Sequence, residues 1–347
     1  MNVHAYAAPA AAEPLAPTVI ERRAVGPNDV LIEVTHAGIC HSDIHTVRGD
    51  WGPQSYPLVP GHEIVGVVTE VGSGVTTHEV GDRVGVGCMV NACRDCANCR
   101  KGQEQYCLNG MVGTYGAVDR DGTVTQGGYS THVVVDAHFV LRVPEGIDPA
   151  AAAPLLCAGI TTYSPLRRWG AGPGKRVAVV GLGGLGHMAV KIAAALGAEV
   201  TVLSRTLDKQ EDAKRLGAAH HFATKDDATF TQNASTFDLI INTVSADLPM
   251  DAYMALLRPL GALVNVGLPT KPYEIAPFSV VGGSRALAGS NIGGIAQTQE
   301  MLDFCAEHHI GAEIETIGAD QVNEAYDRVV SSDVRYRFVI DTATISA

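Results

Sequence analysis

Four cysteines occur close together in the sequence, at short and regular intervals. They follow the pattern C-x2-C-x2-C-x7-C and are Cys93, Cys96, Cys99 and Cys107. Four thiolates in one short loop can close a tetrahedral zinc site, which has no open position and therefore stabilises the loop without doing chemistry. The loop has few apolar side chains, so the metal would supply its folding energy. An iron–sulfur cluster is the alternative, although Leu108 stands where ferredoxin-type motifs carry proline.

A second set of metal-binding side chains lies earlier in the chain. Cys40 is followed by a Gly-His-Glu segment that contains His62. Cysteine and histidine are ligands that zinc prefers, and a catalytic zinc site leaves one position open for water or substrate. The spacing does not decide the third ligand, for which the candidates are Cys157, Cys88, Glu63 and Cys305. Cys157 lies where two differently patterned parts of the chain meet, and clefts between domains favour active sites.

A glycine-rich turn predicts a dinucleotide site. Gly181, Gly183 and Gly186 form a G-x-G-x-x-G pattern between a short apolar strand at Arg176–Val180 and an Ala-rich helix that runs to about Leu196. In this context the glycines allow a tight turn, close approach of a pyrophosphate, and close packing of helix on strand. The N-terminus of the helix would then face the phosphates.

The residues after the next predicted strand, Glu199–Leu203, indicate which dinucleotide binds. An NAD site carries a carboxylate there, which accepts from the ribose 2′-hydroxyl and repels a 2′-phosphate. This chain has Ser204 and Arg205 instead, with Lys209 nearby. Hydroxyl, guanidinium and ammonium groups all suit a phosphate. The sequence therefore favours NADP(H) over NAD(H).

The pattern of apolar residues changes near residue 150. Before it, short apolar runs separated by Gly and Pro predict a β-rich domain, such as a small barrel. After it, buried strands alternate with helices, which predicts a doubly wound parallel sheet. A length of 347 residues fits two domains.

Composition and charge exclude several classes of protein. The formal net charge of −12 argues against a nucleic-acid binder and against a polybasic membrane-surface protein. No apolar run reaches the ~20 residues that span a bilayer. Residues 1–16 contain no Lys or Arg, so we expect no signal peptide and a cytoplasmic location. In a reducing compartment the eight cysteines are metal ligands or catalytic thiols rather than disulfides.

Together these motifs resemble the zinc-containing medium-chain alcohol dehydrogenases, and most of all the NADP-dependent branch that is similar to cinnamyl alcohol dehydrogenase and includes bacterial broad-specificity aldehyde reductases. The resemblance runs from about Glu21 to Asp341. The segments that carry it are Gly61-His-Glu-x2-Gly66-x5-Gly72-x2-Val75, the Cys93–Cys107 loop, Cys157-Ala-Gly-Ile-Thr, the glycine turn, and Arg335-Tyr-Arg-Phe-Val-Ile-Asp341.

The resemblance implies two zinc ions per subunit. Cys40, His62 and Cys157 would hold the catalytic zinc, and Cys93, Cys96, Cys99 and Cys107 the structural zinc. Glu63 would be a fourth ligand to the catalytic zinc when water or substrate is absent, or a group just outside its ligands. Asp43 would orient His62. Ser42 and His45 would be the inner and outer ends of a proton relay that passes through the cofactor ribose.

The resemblance also implies the domain plan and the cofactor contacts. A GroES-like barrel at residues 1–150, completed by 294–347, would be interrupted by a six-stranded Rossmann domain at 151–293. The subunits would form a homodimer through strands near Ala286–Ile292. The cofactor-contacting positions would be Thr161, Gly181, Gly183, Gly184, Leu185, Gly186, Ser204, Arg205, Lys209, Thr243, Gly267, Ser290, Asn291 and Ile292.

The implied reaction is hydride transfer between NADP(H) and a primary alcohol or aldehyde, with zinc as Lewis acid. Candidate substrate-pocket residues are Trp51, Cys88, Met89 and Gly113. Plant members carry Trp near the position of Gly113 and Phe at that of Asn291, so this chain should have a wider pocket and accept varied aromatic and medium-chain aldehydes. The alternatives are a polyol or secondary-alcohol dehydrogenase of the same superfamily, and a non-catalytic sensor that binds zinc and NADP.

Overall fold

A computed structural model describes residues 1–269 and 271–346. The chain divides into two compact units: the first unit is residues 1–157 with 293–347, and the second unit is residues 158–292. The first boundary falls later than residue 150, where the sequence pattern changes. The reason is that the short helix at Pro149–Ala152 and the turn at Ala153–Leu156 pack against strands of the first unit.

The first unit is mostly β-structure, with strands and helices numbered in chain order through both units. Its strands are β1 (Asn2–Ala7), β2 (Ala16–Glu21), β3 (Asp29–Gly38), β4 (Ile64–Val71), β5 (Arg83–Val86), β6 (Met89–Asn91), β7 (Val112–Gly113), β8 (His132–Asp136), β9 (Leu141–Arg142), β16 (Ile314–Gly318) and β17 (Arg337–Asp341). Its helices are α1 (His41–Arg48), α2 (Pro149–Ala152), α9 (Ile295–Glu307) and α10 (Val322–Val330).

A seven-stranded sheet forms the centre of the first unit. Its order is β16-β17-β3-β4-β5-β9, and β8 also pairs with β3. Strand β3 is therefore bonded to β17, β4 and β8, all antiparallel. Its alternating residues Val30 and Ile32 are fully buried, as expected for a strand packed on a core. The start of β3 therefore lies beside β8, and its end lies beside β17 from the C-terminal part of the chain.

The second unit is a parallel sheet with the order β12-β11-β10-β13-β14-β15, as the alternating pattern predicts. Its strands are β10 (Arg176–Val180), β11 (Glu199–Ser204), β12 (His220–Ala223), β13 (Phe237–Asn242), β14 (Leu257–Asn265) and β15 (Ala286–Gly289). Its helices are α3 (Ala158–Arg168), α4 (Gly186–Ala195), α5 (Gln210–Arg215), α6 (Ala228–Gln232), α7 (Met250–Leu256) and α8 (Pro277–Val281).

In the second unit the chain adds β11 and β12 on one side of β10 and then crosses over to add β13, β14 and β15 on the other side. Strand β10 is bonded to β11 on one side and to β13 on the other, so the loops at the carboxyl ends of β10 and β13 diverge. Ligands of open parallel sheets bind at this position. Among the described residues, no helix is both long and apolar enough to cross a membrane.

Candidate zinc and dinucleotide sites

A buried cluster in the first unit contains two thiols, an imidazole and a carboxyl group. Cys40 follows β3, His62 and Glu63 directly precede β4, and Cys157 follows the turn at Ala153–Leu156. One ligand atom from each of these four residues lies within 4.8 Å of the others. Of the four candidates for the third ligand, the structure brings Cys157 and Glu63 into this group. Cys88 Sγ instead contacts the carbonyl oxygen of Leu156, and Cys305 packs against Met301 in α9.

The dimensions of the cluster fit a zinc ion. Two sulfur ligands at ~2.3 Å from a tetrahedral zinc are about 3.8 Å apart, and the Sγ atoms of Cys40 and Cys157 are 4.0 Å apart. In addition, Glu63 Oε2 is buried and has no partner among the described residues. Cys40, His62 and Cys157 are therefore suited to hold the metal, with Glu63 as a further oxygen ligand.

Asp43 fixes the orientation of His62. The Asp43 carboxylate is fully buried and accepts from His62 Nδ1 at 2.9 Å and from the backbone N–H of Gly61 at 3.1 Å. Its other oxygen accepts from the backbone N–H of Cys40 at 2.9 Å and from the Tyr129 hydroxyl at 3.3 Å. With Nδ1 occupied in this way, Nε2 is the ring nitrogen left for a metal.

The pKa values in the cluster favour a cation-binding arrangement. A hydrogen bond from Cys157 holds the pKa of Cys40 well below its usual value against the opposing effect of burial, and the charge of Arg337 adds to the decrease. The same hydrogen bond raises the pKa of Cys157. Burial is the largest single effect on the pKa of His62 and lowers it, but the charge of Asp43 and the hydrogen bonds to Asp43 and Cys40 together raise the pKa well above its usual value. The surroundings of Cys40 and His62 thus favour a thiolate and a positive charge side by side, and a bound metal cation would take the place of the ring proton.

Glu63 forms a buried ion pair that the sequence pattern does not predict. Arg337, at the start of β17, donates from Nη2 to Glu63 Oε1, and both side chains are almost fully buried. Burial raises the pKa of Glu63 to about 7, although the positive charge of Arg337 opposes this increase. The available signal was an arginine that begins a buried apolar strand, because such a charge needs an acidic partner.

Replacing Arg337 should destabilise the first unit. In Arg337→Met the Glu63 carboxyl stays buried without its cation, and we expect the free energy of unfolding to fall by about 3–5 kcal/mol in urea titrations. The Glu63→Gln/Arg337→Met double variant removes both charges and should recover more than half of that loss. If the single variant were as stable as the wild type, the ion pair would have no structural role.

The four cysteines of the Cys93–Cys107 loop also come together. One Sγ atom from each lies within 4.8 Å of the others, and the Sγ atoms of Cys93 and Cys99 are 3.9 Å apart. Backbone N–H groups donate to the sulfurs, including those of Cys96 to Cys93 Sγ at 3.3 Å and of Leu108 to Cys96 Sγ at 3.4 Å. The spacing fits a closed tetrahedral zinc site of four thiolates.

The ionisation of this loop also points to a metal. Hydrogen bonds from the backbone of Asp95 and Cys96 lower the pKa of Cys93 to about 6. Burial raises the pKa of Cys99 to about 12. Burial thus opposes the ionisation of Cys99, and a cation among the four sulfurs would be needed for all of them to be thiolates. The loop is joined to the start of α9, because Glu104 Oε2 accepts from the backbone N–H of Ile295 at 3.2 Å.

The two predicted relay residues lie on one face of α1. Ser42 and His45 are three residues apart, a spacing that puts side chains on the same side of a helix. Ser42 Oγ is 3.6 Å from Cys40 Sγ, so it lies next to the metal cluster. His45 Nδ1 is 2.8 Å from Asp50 Oδ2, and its half-exposed ring stacks on Trp51. His45 thus connects this face of the helix to solvent.

The glycine turn of the second unit has the shape that a dinucleotide requires. Gly181 has φ of +91°, and a Cβ there would overlap the side chain of Val244. A Cβ on Gly183 would meet no protein atom within 4 Å, so this backbone borders open space that a pyrophosphate can enter. A Cβ on Gly186 would overlap the carbonyl oxygen of Gly181. These are the three roles of the fingerprint: turn, ligand approach and packing.

Three residues that predict NADP(H) are at the carboxyl end of β11 and just beyond it. Ser204 is the last residue of the strand, Arg205 is exposed, and Lys209 Nζ donates to the carbonyl oxygen of Leu182 in the glycine turn at 3.0 Å. The side chain of His221 contacts Ser204. His221 was not among the cofactor-site residues predicted from the sequence.

The remaining predicted cofactor residues are spread over several elements. Thr161 is buried in α3, and Thr243 Oγ1 donates to the carbonyl oxygen of Val180 at 2.7 Å. Gly184 and Leu185 lie inside the glycine turn, and a Cβ on Gly267 would overlap the backbone of Val244. Beyond β15, the backbone N–H of Ser290 donates to the carbonyl oxygen of Asn265, Asn291 is exposed, and Ile292 is buried. Their roles toward a cofactor remain predictions.

The predicted substrate-pocket residues fall into two places. Met89 pairs with Gly113 across β6 and β7, and the Cys88 carbonyl oxygen accepts from the backbone N–H of Thr114. The Cys88 side chain also hydrogen-bonds to that of Cys157, so the start of β6 borders the metal cluster. Trp51 lies on His45 and is half-exposed. A Cβ on Gly113 would meet only ordinary contacts, so space allows a larger side chain there.

Comparison with known proteins assigns both units. Residues 26–145 match the family described as alcohol dehydrogenase GroES-like domain, and residues 184–307 match the family described as zinc-binding dehydrogenase. NADP-dependent alcohol dehydrogenase C 1 of Mycolicibacterium smegmatis is 64% identical over 345 residues, which are 99% of each chain.

Two solved structures share the whole fold. A cinnamyl alcohol dehydrogenase from Sorghum bicolor is 46% identical, with a TM-score of 0.96 over 100% of this chain and 99% of its own. A CAD from Helicobacter pylori, solved as a complex with NADP(H), is 41% identical, with a TM-score of 0.93 over the same shares.

A GroES-like domain joined to a parallel-sheet dinucleotide domain defines the class of zinc-binding dehydrogenases. The chain belongs to the zinc-containing alcohol dehydrogenase family, in the branch that includes the cinnamyl alcohol dehydrogenases. The family and fold class expected from the sequence are thereby confirmed, and the protein is an enzyme.

Proposed function

We propose that the enzyme transfers hydride between NADP(H) and a broad range of primary alcohols and aldehydes, both aromatic and medium-chain. The observation that carries this proposal is the buried cluster of Cys40, Cys157 and the Asp43-oriented His62. Ser204 and Arg205, which replace a carboxylate after β11, support NADP(H). So do the names of the M. smegmatis relative and of the H. pylori complex.

In the first unit, some residues would bind the metal and others orient its ligands. Cys40, His62 and Cys157 would hold the catalytic zinc, which when bound supplies Lewis-acid chemistry at the substrate oxygen. Asp43 keeps the His62 ring in one orientation and tautomer. Glu63, held by Arg337, would be an additional oxygen ligand within reach of the same metal.

Ser42 and His45 would move the proton of the alcohol. Ser42 Oγ lies beside the metal cluster and would accept the proton from the substrate oxygen. His45 would pass it to solvent, since its ring is half-exposed and Asp50 holds Nδ1. The i, i+3 spacing on α1 supports this division into an inner and an outer group.

Removing the Ser42 hydroxyl should slow catalysis without affecting the metal. General acid–base groups contribute about 10²–10⁴-fold to rate, so we expect kcat of Ser42→Ala to fall by about 100-fold. Zinc content, measured by elemental analysis, should not change. Ser42→Thr keeps the hydroxyl and should retain most of the rate. Full activity in the alanine variant would eliminate Ser42 from the relay.

A panel of substrates and cofactors tests the function as a whole. Reduction of benzaldehyde, cinnamaldehyde, hexanal and acetophenone by the zinc-replete enzyme is followed through the absorbance of NADPH or NADH. We expect kcat/KM for aldehydes to be about 100-fold higher with NADPH, because phosphate contacts from charged groups are worth about 1.5–3 kcal/mol each.

Other outcomes of the panel point to other functions. Faster turnover with NADH would contradict the cofactor assignment. A preference for the ketone would indicate a secondary-alcohol dehydrogenase. The absence of reaction with every substrate would favour a sensor that binds zinc and NADP without catalysis.

We also propose that the enzyme is a homodimer in the cytoplasm. Strand β15 is an edge strand of the parallel sheet, and an unpaired edge can bond to a second copy. Large apolar side chains in the same unit are exposed, with Phe278 at 83% and Leu260 at 80%. Six of the eight cysteines lie in the two candidate metal clusters, which suits a reducing compartment. The mass in solution, measured by light scattering, tests the dimer.

A further inference from the structure

His221 lies next to the hydroxyl that is predicted to meet the cofactor phosphate. It is in β12, where it is paired with Val202 of β11, so its side chain shares a face of the sheet with Ser204. His221 Nε2 is 2.6 Å from Ser204 Oγ. The ring is half-buried, and Nδ1 is buried with no partner among the described residues. The contact with Ser204 is therefore the polar contact that orients the ring.

The hydrogen-bond partners of Ser204 determine where the protons of Ser204 and His221 lie. Ser204 has a single hydroxyl proton, and it donates this proton to the carbonyl oxygen of Thr206 at 2.6 Å. In the short hydrogen bond between Ser204 and His221, the serine oxygen must therefore be the acceptor and the ring must be the donor. The ring proton is thus on Nε2. Burial lowers the pKa of His221, which keeps the ring neutral and leaves it with this one N–H.

We propose that His221 is a positioning residue for the cofactor 2′-phosphate, and that it acts through Ser204; this rests on the NADP(H) assignment proposed above. The hydrogen bond from the His221 N–H fixes the position of Ser204 Oγ. The hydroxyl proton can then rotate from Thr206 to a phosphate oxygen with no movement of heavy atoms. An oxygen that already accepts a hydrogen bond is also a stronger donor, because linked hydrogen bonds polarise one another.

The location of the pair supports a role in cofactor choice. Ser204 is the last residue of β11, at the carboxyl edge of the parallel sheet where ligands of this fold bind. Arg205 is the next residue and Lys209 lies five positions after Ser204, so both bring positive charge to the same edge. Arginine and lysine can attract any phosphate, whereas a fixed hydroxyl adds a directed donor at one place.

The proposal is tested with two nucleotide fragments that differ only in the 2′-phosphate. Isothermal titration calorimetry gives the Kd of 2′,5′-ADP and of 5′-AMP for the wild type, His221→Phe and His221→Gln. Phenylalanine keeps an aromatic ring of similar size without the N–H, and glutamine restores an N–H. We expect His221→Phe to bind 2′,5′-ADP about 10-fold more weakly with 5′-AMP unchanged, and His221→Gln to recover part of the loss.

A double-mutant cycle and the fragment pair separate the possible failures. In a Ser204→Ala background, His221→Phe should have no further effect on 2′,5′-ADP. Equal weakening of both fragments would show a merely structural role and overturn the proposal. Unchanged or tighter binding of 2′,5′-ADP by His221→Phe would also overturn it, since the ring would then be inert or compete for the hydroxyl. If the wild type itself did not prefer 2′,5′-ADP, the NADP(H) assignment would fail and this inference with it.

Discussion

The Cys157→Ala variant should contain one zinc ion per chain instead of two, and its kcat/KM for aldehydes should fall by about 10³-fold or more. Cys157 Sγ is one of two sulfurs in the buried cluster proposed to hold the catalytic zinc, 4.0 Å from that of Cys40. A site with one thiolate and one imidazole holds zinc far less tightly. Loss of the Lewis acid removes several kcal/mol of transition-state stabilisation, and each 1.4 kcal/mol is a factor of ten in rate.

Elemental analysis of gel-filtered protein and steady-state kinetics measure the two effects. The matched control is Cys305→Ala, which removes another fully buried thiol, one that packs on Met301 away from the cluster. That variant should keep both zinc ions and its activity. A Cys157→Ala variant with two zinc ions, or with normal turnover, would show that Cys157 is not a ligand.

The second large effect concerns the stability of the first unit. Cys107→Ser should release the zinc of the Cys93–Cys107 loop, because a hydroxyl does not replace a thiolate in a four-sulfur site. The loop is anchored to α9 through Glu104 and Ile295, so its unfolding also frees the start of that helix. We expect a loss of about 4 kcal/mol and a decrease in Tm of about 10 °C.

Calorimetry and zinc analysis are the measurements for this variant. Leu108→Ser is the control, since Leu108 is the next residue and its side chain is 70% exposed. Only its backbone N–H contacts a sulfur, and this group is kept. The control should have the wild-type Tm and both zinc ions. If Cys107→Ser lost its zinc while its Tm stayed the same, the metal would not stabilise the loop.

The sequence by itself determined the features that depend on short stretches of chain. The four-cysteine loop is recognisable because its ligands lie within 15 residues, from Cys93 to Cys107. The glycine turn is recognisable because its three glycines separate a predicted strand from a predicted helix. The family resemblance, and with it the fold class, followed from these local patterns. The edge strand β12 was not predicted, because its two histidines and partial exposure produce no apolar run.

The tertiary structure decided which distant residues meet. Spacing left four candidates for the third zinc ligand, and the fold brings Cys157 next to Cys40 although they are 117 positions apart. Glu63 and Arg337 are 274 positions apart, and they meet because β17 pairs with the end of β3 beside Cys40. The register between β11 and β12 likewise brings His221 to Ser204. Strand pairing depends on packing along the whole chain, so no local pattern of residue types specifies these contacts.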